Sequence, residues 1–230
     1  MQNNFSKEEI AKVIQWDVET WKQTLSFWDE HFEIKAGMKV LAIGEREGGL
    51  SYYFAKLGCE VVCTDFRDFP EATTGIHEEG GVSDRITYNY KVDVTDLSRY
   101  EDESFDIAVF KSVIGVLSTK ERQQQAVNEL HRVVKKDGAL LFAENLASTK
   151  LHKYLRRKFV GWDNYWRYLK WPLDLDLFQR FKKKNYKTVG FAANFGRSEG
   201  QKRLLAKLDK LTRPITPKKW RYVLFGVAIK

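Results

Sequence analysis

The stretch Lys39-Val40-Leu41-Ala42-Ile43-Gly44-Glu45-Arg46-Glu47-Gly48-Gly49-Leu50-Ser51, followed by Cys59-Glu60-Val61-Val62-Cys63-Thr64-Asp65, constrains the fold more than any other part of the chain. Val40 to Ile43 is the unbroken apolar run of a parallel strand buried on both faces. Gly44, Gly48 and Gly49 let the backbone turn sharply into a helix over Leu50 to Leu57. A second apolar strand then ends on Asp65, about 20 residues after Gly44, where an acid can accept hydrogen bonds from both hydroxyls of a ribose. That order predicts a nucleotide-sized pocket. The dinucleotide fingerprint G-x-G-x-x-G is incomplete, because Arg46 sits where the middle glycine would be. This disfavours a pyrophosphate on the helix N-terminus and suits a nucleoside ligand without phosphates.

Strands and helices alternate beyond this block. Ile86 to Asp93 reads as a third strand and Phe105 to Ser112 as a fourth. A helix over Lys120 to Lys135 carries Ala126, Val127, Leu130, Val133 and Val134 on one side; Lys136-Asp137-Gly138 stops it, and Ala139 to Ala143 forms a fifth strand. Tyr186 to Phe191 and Trp220 to Ile229 read as strands six and seven, joined by a helix over Gly200 to Leu211. Crossovers of this kind force a parallel sheet with ligands at the strands' carboxyl ends, where Gly44, Asp65, Asp93, Lys111 and Glu144 converge. At the amino terminus, Ser6-x-x-Glu9 is a capping box, and Ile14, Val18, Trp21, Leu25, Trp28 and Phe32 give one apolar stripe, which predicts a single long helix.

The glycine block resembles motifs I and II of the class I S-adenosylmethionine-dependent methyltransferases. Gly44, Gly48 and Asp65 match, whereas Ala42 and Arg46 depart from E/D-x-G-x-G-x-G. The run Glu129 to Gly138 is similar to the family's helix-to-strand passage, and the last two strands to its antiparallel edge hairpin. The resemblance implies an α/β fold: a doubly wound, mostly parallel seven-stranded sheet, Rossmann-like, with an N-terminal helical lid. It implies one domain over residues 1–230, divided into the lid (1–35), a cofactor-binding core (36–147) and a basic acceptor side with edge strands (148–230). It further implies S-adenosylmethionine as cofactor, held by Gly44, Arg46, Gly48, Asp65, Phe66, Asp93, Val94 and Lys111. Asp93 is placed like the family acid that meets the adenine amino group, and Arg46 is expected to pair with the cofactor carboxylate, offsetting the acid missing at Ala42. The helix before motif I often covers the cofactor in this family, which puts Trp16 or Trp21 at the pocket while Trp28 packs. More narrowly, Gly44 to Ser51, Phe110-Lys111-Ser112-Val113 and Phe142-Ala143-Glu144-Asn145 resemble methyltransferases of bacterial surface-polysaccharide gene clusters.

Charge divides the chain. Residues 1–149 hold 17 Lys and Arg against 26 Asp and Glu, net −9, whereas residues 150–230 hold 22 against 5, net +17. A positive half beside the strand tips implies an anionic acceptor. Its centre is Lys150 to Phe159, with Lys153, Arg156, Arg157 and Lys158, followed by Trp162, Tyr165, Trp166, Tyr168 and Trp171. Interleaved bases and aromatics suit anionic sugars, lipid headgroups or single-stranded RNA. No Asn/Asp-Pro-Pro-Tyr tetrapeptide follows the fourth strand, where methyltransferases acting on nucleobases usually carry it; Lys111-Ser112-Val113-Ile114 stands there instead. This argues against nucleobase methylation and favours an oxygen acceptor on a glycan, glycolipid or small molecule, or a small-molecule nitrogen. Methyl transfer to an alcohol benefits from a base, for which Glu144 and His152 are candidates, while Lys111 can orient the acceptor or bind its charge.

Other chemistries lack their parts: there is no H-E-x-x-H, paired C-x-x-C, P-loop or nucleophile elbow, so no metal is expected. Cys59 and Cys63 lie too far along one strand to bridge each other and suggest a reducing compartment. Without an apolar stretch approaching 18 residues or a signal peptide at Met1 to Phe5, the expected address is the cytoplasm, with peripheral contact at the inner membrane surface. The competing readings are an RNA- or membrane-binding module with a degenerate pocket and an NAD-dependent oxidoreductase. The oxidoreductase would want the complete glycine fingerprint.

Overall fold

The structure, a computed structural model, describes residues 5–68, 71–159 and 165–230; Trp162 and Met1 to Asn4 lie outside them. Seven strands form one sheet in the order β3-β2-β1-β4-β5-β7-β6. They are β1 (Lys39–Ile43), β2 (Glu60–Thr64), β3 (Ile86–Asn89), β4 (Phe105–Lys111), β5 (Val134–Asn145), β6 (Lys183–Val189) and β7 (Val223–Ile229). The first five run parallel, and β7 pairs antiparallel with both β5 and β6, giving the expected Rossmann-like architecture. The helices are α1 (Lys7–Ile14), α2 (Val18–Trp21), α3 (Gln23–His31), α4 (Gly49–Lys56), α5 (Glu71–Glu79), α6 (Lys120–Val133), α7 (Lys150–Phe159) and α8 (Glu199–Thr212).

Both faces of β1 are covered, as its apolar run requires. Val40 and Ala42 join the core under the lid helices, with Trp21, Leu25, Trp28 and Phe54, while Leu41 and Ile43 join the core under α6, with Leu130, Phe142 and Phe178. Alternate residues of a strand serve opposite faces, so a one-residue slip of β1 would exchange the two cores.

The predicted single N-terminal helix is three. The capping box forms as expected, with the Glu9 N–H on Ser6 Oγ and the Ser6 N–H on Glu9 Oε2, but the backbone turns left-handed at Gln15 and Asp17, φ 70° and 46°. The break has tertiary causes. The Asp17 carboxylate is buried and accepts from the Tyr222 hydroxyl, and the Glu199 carboxylate accepts the N–H groups of Asp17 and Val18, capping α2 from α8. These long-range partners override a helical period that reads correctly on each side of the break.

The helix-to-strand passage also differs. The chain leaves α6 at Val133, two residues early, and β5 starts at Val134, because Val134 pairs with Phe105 and a register shift absorbs Lys135 to Gly138 before Ala139 meets Ile107. Lys136-Asp137-Gly138 is therefore part of a bulged strand, with Asp137 at φ 63°, and stops no helix. The third strand ends at Asn89, so Asp93 stands in the loop beyond it, and β6 begins three residues before the predicted Tyr186. Both cysteines are buried free thiols. Among the described residues no helix is long and apolar enough to cross a membrane.

Candidate active site

The carboxyl ends of β1, β2 and β4 gather most of the residues expected from the sequence. Gly48 opens α4 at φ 73°, where a side chain would also come within 2.6 Å of the His77 ring, so only glycine fits the turn. Arg46 holds a left-handed φ of 41° in the same turn; its N–H donates to Asp65 Oδ2 at 2.9 Å and its carbonyl accepts from Thr73 Oγ1 at 2.7 Å. The Arg46 guanidinium is exposed beside Glu47, 3.7 Å away.

The buried Asp65 carboxylate ties the turn to the tip of β2, since Oδ1 also accepts the Arg67 N–H at 2.9 Å. Arg67 Nε also lies 3.5 Å from Oδ1. An ionised carboxylate has about four acceptor sites, so these contacts still leave capacity for more. The Val92 N–H donates to the Asp65 carbonyl at 3.0 Å and draws the loop after β3 onto the same tip. This loop buries Val94 and holds Asp93, whose Oδ1 accepts from the Thr95 N–H and Oγ1 and whose Oδ2 lies 3.4 Å from Arg122. Phe66, next to Asp65, leaves its ring 68% exposed.

Glu45 occupies no motif position that the sequence marks as functional. Its carboxylate is buried in the glycine turn, accepts the Ser51 N–H at 2.6 Å and thereby caps α4; burial pushes its pKa up to about 7. A helix N-terminus is where the pyrophosphate of a dinucleotide would lie, and here an acid occupies it. The only signal for this in the sequence was an acid placed within the turn itself.

Lys111 ends β4 one residue beyond the Ile43–Phe110 pair, level with Gly44, and pairs with Ala143 on its other side. Its Nζ is buried under the lid, donates to the Ile14 carbonyl at 3.0 Å and sits 3.0 Å from the centre of the Trp16 ring and 5.5 Å from that of Trp21. Desolvation pushes its pKa well below the ordinary lysine value, against the pull of Glu45, Glu47 and Glu144 and with a small push from Arg46. Trp16 and Trp21 are thus brought to the β4 tip, while Trp28 packs in the core.

Glu144 and His152 are engaged elsewhere. Glu144 is fully buried, its Oε2 accepting the Val113 N–H at 2.9 Å and its Oε1 the Asn145 N–H at 2.7 Å, and burial pushes its pKa up to about 7. It fixes the loop after β4 and makes no ion pair with Lys111. His152 is not a surface histidine: it stacks on Phe195, its Nε2 bonds the Phe191 carbonyl at 3.0 Å, and its Nδ1 meets Thr149 Oγ1 at 2.6 Å. A carbonyl only accepts, so Nε2 carries the proton and Nδ1 is an acceptor. Burial lowers the imidazole pKa. Arg156 is likewise turned inward, donating to the Leu146 carbonyl at 2.9 Å and lying 4.3 Å from the Tyr168 ring centre, so the outward cations of α7 are Lys150, Lys153, Arg157 and Lys158.

Residues 41–142 match a family model described as a methyltransferase domain. Among solved structures the chain is similar to the YcgJ protein of Bacillus subtilis, at 17% identity and a TM-score of 0.59 over 90% of this chain and 98% of the other. It is also similar to Haemonchus contortus phosphoethanolamine N-methyltransferase 2 with S-adenosylhomocysteine and phosphomonomethylethanolamine, at 15% identity and a TM-score of 0.64, over 100% of this chain and 59% of that protein. A third similar structure is the [4+2]-cyclase SpnF, at 15% identity, a TM-score of 0.60, and 92% and 80% coverage. These identities speak for the fold, and the cyclase shows that the fold alone does not set the reaction. Residues 41–142 thus match a methyltransferase domain, and they sit in a sheet with the Rossmann-like strand order of class I methyltransferases. No curated protein matches the chain.

Above its pKa of about 7 the buried Glu45 carboxylate offers a negative charge that Ala42 lacks. Glu45→Gln keeps an acceptor for Ser51 and is expected to weaken S-adenosylmethionine, whose sulfonium is positive, about tenfold more than neutral S-adenosylhomocysteine, roughly 1.4 kcal/mol by titration calorimetry. Equal losses for the two ligands would remove the charge argument. The folded-state pKa lies above the ordinary carboxylate value, so the folded chain binds the extra proton between that value and about 7. Relative to Glu45→Gln, wild type therefore loses stability as pH rises through this window.

Proposed function

We propose that the chain methylates an oxygen of an anionic acceptor, a glycan, glycolipid or small molecule, at the cytoplasmic face of a membrane. The observation that carries this reading is the charge division, net +17 over residues 150–230, with Lys150, Lys153, Arg157 and Lys158 exposed on α7 around an exposed Tyr154. Phosphate or carboxylate suits those cations and a sugar ring suits the aromatic face. Lys111-Ser112-Val113-Ile114, where a planar-nitrogen tetrapeptide would stand, supports oxygen over a nucleobase. The resemblance of Gly44 to Ser51 and Phe142 to Asn145 to surface-polysaccharide methyltransferases supports the same reading.

When bound, S-adenosylmethionine supplies a methyl group already activated on sulfonium. The chain's work is then alignment and proton removal. Asp65 has acceptor capacity for ribose hydroxyls, and the exposed Phe66 ring, Asp93 and Val94 would hold adenine. Gly44 and Gly48 shape the turn, and the exposed Arg46 would pair with the cofactor carboxylate. Of the three catalytic candidates, Lys111 is the one whose depressed pKa suits a base, and Glu144 and His152 act as positioning residues. Glu144 holds the β4 loop beside Lys111, and His152 pins α7 to the Phe191 carbonyl.

The test is a methylation assay on extracted surface-glycan intermediates, run beside transfer RNA, phosphoethanolamine and neutral alcohols. Lys150→Ala combined with Lys153→Ala is expected to raise the acceptor's KM about threefold to tenfold and flatten its salt dependence, with kcat and cofactor affinity unchanged. Methyl incorporation only into RNA or a neutral alcohol overturns the reading.

A further inference from the structure

Helix α8 is amphipathic with its apolar face turned outward. Leu204, Leu208, Leu211 and, in the turn that follows, Ile215 recur at spacings of four, three and four, and they are 68%, 47%, 79% and 81% exposed. The inner face is already held: Leu205 and Ala206 pack against the core, the Asp209 carboxylate accepts the N–H groups of Phe191, Ala192 and Ala193, and Glu199 caps α2. Asp209 is therefore turned inward, and Glu199, at the start of the helix, is taken up by α2 and Lys202. Residues 197–221 carry nine Lys and Arg against these two acids, and Arg203, Lys207 and Lys210 flank the aliphatic stripe on one side, Lys210 lying 3.8 Å from Glu19. Lys218, Lys219 and a part-exposed Trp220 follow directly. A helix of a monomeric protein normally turns such a stripe to the core, and an exposed stripe of this kind marks an interaction surface.

We infer that α8 and the turn to Trp220 form a docking surface for an anionic phospholipid bilayer, lying in the interface with the leucines and Ile215 among the acyl chains. The charge decides the occupant. An aliphatic stripe bordered by cations, with an indole at its end, matches a negatively charged membrane surface, whereas a second copy of this chain would bring the same positive face against itself. This surface is distinct from the outward cations of α7, although its Trp220 end adjoins the start of α7 through Ser148. It bears on where the acceptor is met, and its test reads vesicle binding rather than methylation, so either can fail without the other.

The full chain is co-sedimented with phosphatidylcholine vesicles containing phosphatidylglycerol and with pure phosphatidylcholine vesicles. Wild type is expected to sediment with the anionic vesicles and at least tenfold less with the neutral ones. Leu211→Asp combined with Ile215→Asp is expected to lose at least tenfold in vesicle affinity, with unchanged thermal melting and S-adenosylhomocysteine binding as evidence of an intact fold. No sedimentation with anionic vesicles, or sedimentation that the double variant leaves intact, overturns the inference. So does a wild-type dimer in sedimentation velocity that the double variant converts to monomer, since the stripe would then belong to a second copy.

Discussion

Asp65→Ala is expected to lower the affinity for S-adenosylhomocysteine by about 1.5 to 3 kcal/mol, tenfold to somewhat over a hundredfold. Two effects combine. The carboxylate is the charged acceptor proposed for the ribose hydroxyls, and hydrogen bonds to a charged group are the stronger kind. It also accepts the N–H groups of Arg46 and Arg67, so its removal frees both backbone donors and loosens the glycine turn. Calorimetry and thermal melting separate the two. A purely structural Asp65 would cost stability and leave affinity intact wherever the protein is folded, and that outcome would remove it from the cofactor site.

The sheet was legible because its strands are short apolar runs with strong punctuation. Val40 to Ile43 and Phe105 to Lys111 have nowhere to go but a buried parallel sheet, and Gly44, Gly48 and Asp65 mark the strand tips by chemistry that survives without any knowledge of contacts. What the sequence concealed was set by partners far along the chain. The lid stripe reads as one helix until Glu199 and Tyr222 fix Asp17 in a left-handed turn, about 180 and 205 positions away. Without that break Trp16 would not lie over Lys111. Glu45 escaped notice because an acid in a polar turn reads as solvated, and only the return of α4 onto the turn buries it. The charge-rich neighbourhood of His152 and Arg156 suggests reactive or anion-binding groups. Their direction around α7 decides otherwise: a helix alternates its faces every few residues, so adjacent bases in a run serve opposite ends, and positions 152 and 156 share the inner one.

Lys111→Met is expected to lower kcat by about a hundredfold, near the lower end of what a positioned base contributes, roughly 2.7 kcal/mol. The geometry singles out this amine. It stands at the carboxyl end of β4, level with the glycine turn, under Trp16 and the Ile14 carbonyl, and burial favours its neutral form. A neutral amine can take the proton of an acceptor hydroxyl; a guanidinium cannot, so Lys111→Arg is expected to keep a cation there and still lose the rate. If Lys111 instead served only to bind the acceptor's charge, Lys111→Arg would retain activity and the loss in Lys111→Met would fall on KM. The pH dependence has a definite sign. Wild-type kcat rises with pH through the depressed lysine pKa and then levels, whereas both variants lack that limb. Stability separates the roles further. The folded chain binds fewer protons than the unfolded chain between the depressed and the ordinary lysine pKa, so wild-type stability rises with pH across that interval, and Lys111→Met abolishes the slope. Removing a desolvated amine also relieves a burial cost, so Lys111→Met is expected to melt no lower than wild type at neutral pH while losing its activity. A variant that loses activity and stability together would return Lys111 to a structural role under the lid.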